Sequence, residues 1–242
     1  MPERIYLSQR RLADFRDGTA NQGFLRQVHV TEAAAPSSSG RGGAPTHELR
    51  KEQNAALRQV VDNIERSARN FDARDVAPGE WVHFRTSLTS ASVDLGDWGH
   101  ERLAGVELMV FWTPDDIAGR PERLVLVARP DGLLDDDFWP YELPRPSSAQ
   151  GHLLGLLPSL AELVMSDGDI GADVAGRMPI LDEVALLDQA SRESESEAPR
   201  TYSGYARVLV SVAQRSWGRT RSLGNRAIVA SPLYIEHEAG PY

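Results

Sequence analysis

Asp94, Asp97 and His100 fall together in the string VDLGDWGHE. Two carboxylates and an imidazole at such close spacing could hold a divalent cation, or pair a general base with the acid that orients it. The surrounding text adds little to that chemistry. No second histidine stands at a ligand spacing such as HxxxH, and loops between strands collect Asp and Gly for their turn conformations alone. A turn without a metal is therefore the expectation, and no metal is assigned. Asp115-Asp116 and Asp135-Asp136-Asp137 lack the alternating ligands and glycine of a calcium loop. Of acyl-transfer signatures, GxSxG is missing: Thr201 stands where Ser203-Gly204 would need the first glycine. Ser231 precedes Pro232, which restricts it to extended backbone and suggests a strand-end turn.

A second group has a different chemistry. RSWGRTRSLGN carries Arg215, Trp217, Arg219 and Arg221, and Arg226 follows closely. Guanidinium groups offer planar paired donors to phosphate or carboxylate, and an indole offers a stacking face. From Tyr202 to Ile235 there are five arginines and no Asp, Glu or Lys, so this stretch is +5 and the rest of the −9 chain is −14. That contrast predicts a local site for a small anionic ligand or an acidic protein partner; the alternative is that these arginines pair with surface carboxylates. The overall negative charge argues against duplex nucleic acid and anionic membranes. The resulting expectation is a non-catalytic binding or regulatory domain with no cofactor. A metal-assisted hydrolase using Asp94, Asp97 and His100, and a structural subunit of a larger assembly, are the competing readings.

The elements that would position these groups follow from periodicity. Ile5–Leu7 is β-prone, and Ser8 suits the N-cap of a short helix through Phe15. From Thr46, apolar residues including Leu49, Leu57, Val60, Ile64, Ala68 and Phe71 recur at three- and four-residue steps, predicting a long amphipathic helix to about Phe71. Trp81–Val93 alternates, with Trp81, His83, Arg85 and Ser87 on one side and Val82, Phe84, Thr86 and Leu88 on the other. Val106–Trp112 and Arg123–Ala128 extend it into an antiparallel meander. Ser147–Met165 is strongly apolar but broken by Pro158, with a capping box at Ser159–Glu162, and predicts a second helical segment. A short helix is expected over Pro179–Ser191. Tyr205–His237 closes the chain as a hairpin around the arginine connector.

These elements are not strictly alternating, so the expected fold is α+β: a mainly antiparallel sheet with the long helix and the second apolar helical segment packed on it. One domain over 1–242 is expected, with a flexible loop at about 33–45 and an acidic linker at about 191–200. The chain has 242 residues, 41% of them hydrophobic, and no cysteine, which excludes disulfides, thiolate metal sites and a catalytic thiol. No apolar run approaches the about 18 residues of a membrane span, and early charges leave no signal-peptide core, so a cytoplasmic location is expected. The N-terminal IYLSQRRL, the WVHFR strand, the LLPSLAEL segment and the C-terminal ASPLYIE together resemble an uncharacterised actinobacterial family of unknown function. Ala230 departs from its pattern, which implies glycine there, and the resemblance implies no activity and no catalytic residues.

Overall fold

A computed structural model of the chain describes residues 3–16, 47–94, 105, 107–114, 122–134, 199–213 and 226–238. Contacts divide the chain into two units, Met1–Ser8 with Ala68–Tyr242, and Gln9–Ser67. The second unit carries α1 (Gln9–Arg16) and α2 (His47–Ile64), which touch each other. Leu57, Val60 and Ile64 are buried at the expected helical spacing, while Arg58, Asp62 and Glu65 are exposed.

The first unit is built of strands: β1 (Glu3–Leu7), β2 (Arg69–Asn70), β3 (Trp81–Asp94), β4 (Glu107–Trp112), β5 (Glu122–Ala128), β6 (Arg200–Ala213) and β7 (Arg226–His237). Five of them, in the order β3-β4-β5-β7-β6, close a barrel, because β6 pairs with both β7 and β3. Every pairing in this ring is antiparallel except β5 with β7. β3 makes closure possible by changing partners midway: Trp81–Leu88 pair with β6 and Thr89–Asp94 with β4. β7 does the same on one edge, meeting β5 over Arg226–Ala230 and β1 over Tyr234–His237. Pro232 falls in the gap between those two partners, where its missing N–H leaves no ladder bond unmade on that edge. Register shifts between Tyr205 and Ala206 and between Val208 and Val210 add the local twist a narrow barrel needs. A long first barrel strand shared between the second and fourth, with the third and fifth parallel, is the connectivity of OB-type barrels.

Alternation fills the interior with Val82, Phe84 and Leu88 from β3, Met109 and Phe111 from β4, Leu124, Leu126 and Ala128 from β5, and Ile228 and Ala230 from β7. Gly204 faces the same interior, where a Cβ would lie 2.2 Å from the Tyr234 carbonyl oxygen and 2.9 Å from the Phe84 ring. The opposite faces of β4 and β5 are buried too: Leu108, Val110, Trp112, Val125 and Val127 are all 3% exposed or less. Two-sided burial explains why ELMVFW and ERLVLVA are nearly continuous apolar runs.

This architecture overturns the α+β expectation of a mainly antiparallel sheet dressed by a long amphipathic helix and a second apolar helical segment. The described chain is mostly strand and closes on itself, with only two short helices. The helical period that suggested a helix to Phe71 ran past its physical end. α2 stops at Ile64, and Phe71 continues the pattern only because it is buried in the barrel core and donates its N–H to the His83 carbonyl. Ser231, expected in a strand-end turn, is instead buried inside β7 opposite Arg207. The segments at Ser147–Met165, Pro179–Ser191 and 33–45 lie outside the described residues, as does the linker at about 191–200 up to residue 198.

Candidate functional site: the barrel end beneath the arginine connector

Strand directions place the candidate residues at two ends. β3 runs toward Asp94 and β7 starts at Arg226, and the ladder through β4 and β5 puts these at opposite ends of the barrel. Asp94 and Arg226, the described members of the two groups singled out in the sequence, therefore lie apart. Asp94 closes β3, half-buried, with Glu107 directly opposite on β4. Asp97 and His100 lie outside the described residues. Among those that are described, no three His, Asp or Glu groups are disposed to hold a metal ion.

At the other end, Ala213 and Arg226 are cross-strand partners, so the connector carrying Arg215, Trp217, Arg219 and Arg221 leaves and rejoins the barrel at adjacent points. Those four residues lie outside the described residues. Arg226 lies inside them, and its setting is unlike that of a loop arginine. It shares a face with Ile228 and Ala230, is 7% exposed, and its Nη2 donates to the Phe71 carbonyl oxygen at 3.4 Å. Its Nε and Nη1 are buried without any hydrogen-bond partner. Buried guanidinium groups are ordinarily paired with carboxylates or fully hydrogen-bonded, so this one departs from the rule.

The segment between β2 and β3 closes this end of the barrel with Phe71 and Val76, both buried. Arg69 ties it together, donating to the Asp75 carboxylate and, at 3.3 Å, to the Asp75 carbonyl, with Glu80 at 3.9 Å. Glu80 in turn accepts the Ala77 N–H at 3.0 Å. The hydrogen bond from Arg69 is the main cause that holds the Asp75 carboxyl below its ordinary 3.8, and the Arg226 charge adds to the effect. Pro78-Gly79 then turns the chain into β3, with Gly79 at φ +87 and its N–H on the Val208 carbonyl at 2.8 Å.

A further surface is not evident from the sequence. Along the outer face of β3, β6 and β7, His83, Tyr205 and Tyr234 form a row, with ring centroids 5.2 Å apart for the first pair and 5.9 Å for the second. Arg4 of β1 lies over Tyr234 at 5.5 Å and bonds Glu236 at 3.0 Å. Arg85 binds Glu238 at 2.7 Å beside them. The alternation of β3 was visible, but the cross-strand register that aligns these rings was not. Comparison with known proteins found no matching family model, no matching curated protein and no matching solved structure.

Proposed function

We propose that this protein is a binding domain whose ligand is a small anionic molecule, held at the barrel end where the β6–β7 connector departs. The observation that carries this reading is the buried Arg226 guanidinium with two unpartnered nitrogens, at the base of a connector holding three further arginines and Trp217. Removing a cation from water costs several kcal/mol unless an anion offsets it. A ligand phosphate or carboxylate supplies that offset, and the connector arginines add planar donors around it. In OB-type barrels the loop joining the fourth and fifth strands is one of the ligand-contacting loops, and the connector occupies that position. Fold-level analogy of this kind bears on where a ligand binds rather than on what it is.

No helix among the described residues is long and apolar enough to cross a membrane. Isothermal titration calorimetry with pyrophosphate, ATP and citrate, at matched ionic strength, tests the reading. Saturable binding to the wild type, weakened at least about tenfold in Arg219→Glu/Arg221→Glu, is the expected result; tenfold corresponds to about 1.4 kcal/mol. No binding of any probe at millimolar concentration, or equal binding by the charge-reversed protein, would refute it.

A further inference from the structure

We propose that Arg226 is the buried anchor of this site, seating a single oxyanion head, phosphate or carboxylate, inside the barrel end beneath the Phe71–Val76 segment. The inference rests on the anionic-ligand reading above and deepens it, since it assigns the deepest contact to a strand residue rather than to the connector. Three observations converge. The side chain projects with Ile228 and Ala230 into a largely apolar core, where water competes least and a charge-assisted bond is strongest. Among the described residues, the side chain's only hydrogen bond is the 3.4 Å contact to the Phe71 carbonyl, at the long limit for such a bond, while Nε and Nη1 have none. Among the described residues no carboxylate bonds these nitrogens: Asp75 feels the Arg226 charge but is bound to Arg69, and Glu122, the register neighbour on β5, forms no ion pair with it.

The cap over this guanidinium is suited to yield. Asp75 is 75% exposed and pairs with Arg69 of the adjoining β2, which also approaches Glu80. Only the weak Phe71 contact ties the segment to Arg226 by hydrogen bonding among the described residues. An entering oxyanion would displace that contact and accept from the freed donors. A fork of donors in a fixed plane suits an oxyanion and not a monatomic ion, so chloride should not substitute.

The test uses the intact wild-type chain labelled with 15N. The Arg226 Nε–H resonance, assigned by its loss in Arg226→Met, is followed while inorganic phosphate, acetate or chloride is added at equal ionic strength. A saturable shift with phosphate or acetate, and none with chloride, supports the anchor, and the more effective anion identifies the head group. An unchanged resonance with both oxyanions, or an equal response to chloride, overturns it. Calorimetry with pyrophosphate separates the two proposals: if Arg226→Met binds like wild type while Arg219→Glu/Arg221→Glu does not, the connector reading stands and the anchor falls. If Arg226→Met does not fold, through-bond correlation of the Nε–H to the Arg226 backbone supplies the assignment, and the wild-type resonance decides.

Discussion

Replacing Arg226 by methionine should make the ligand-free protein more stable, which is the reverse of the usual result for a buried residue. Nε and Nη1 are buried without partners, and each such group forgoes a desolvation penalty of about 1–3 kcal/mol when removed. Methionine retains most of the apolar stem and adapts to irregular space. Against this, the Phe71 carbonyl loses its 3.4 Å donor, a loss of about 1 kcal/mol at such a length. The balance favours Arg226→Met by roughly 1–5 kcal/mol, comparable to apolar replacement of other buried charges. For a chain of this size each kcal/mol moves the midpoint by about 2–4 °C, so a 2 kcal/mol gain raises Tm by about 4–8 °C. Circular dichroism melts and urea titrations in a buffer free of phosphate and carboxylate would measure it. A fall of more than about 4 °C would show that the guanidinium is satisfied in the native fold, and the reasoning that makes it a ligand anchor would fail with it.

Gly204→Ala should destabilise the barrel by about 3 kcal/mol or more, because the new Cβ meets the Tyr234 carbonyl at 2.2 Å and backbone cannot step aside; a wild-type urea midpoint would contradict the packing described. Asp75→Asn tests the closing segment through pH. Since the folded carboxyl titrates below 3.8, its contribution is present above that value and is lost as pH falls through the lower folded one, so wild type and variant should converge in stability below about pH 3.8 and differ at neutrality. A gap that persisted in acid would show that the carboxylate charge is not what ties Arg69. For the competing hydrolase, metal analysis of purified protein is expected to find less than one equivalent of zinc or manganese; a stoichiometric metal lost in His100→Ala would establish the Asp94, Asp97 and His100 site instead.

The strands were legible because their residues alternate or run apolar over short spans. The β3–β4–β5 meander, the terminal hairpin and the strand character of Ile5–Leu7 all follow from such local patterns. Closure was not legible. It depends on Glu122–Leu126 lying parallel to Arg226–Ala230 and on β3 changing partners at Leu88–Thr89, and neither leaves a mark within a single strand. Two-sided burial of β4 and β5 did leave one, in the unbroken apolar runs, which a meander with one wet face would not require. The candidate site was legible as charge and misread in depth. Arg226 counted with the connector arginines because sequence proximity and charge are shared, whereas its β7 parity turns it into the core. The helix that ran on to Phe71 concealed the segment that covers it.

Native mass spectrometry of protein purified from its host without added phosphate or carboxylate asks directly whether the barrel end holds an anion. A discrete anionic small molecule retained by the wild type, released by high salt, and missing from Arg219→Glu/Arg221→Glu is the expected result. A wild-type mass equal to that of the bare chain, unchanged after incubation with pyrophosphate, ATP or citrate, would contradict it.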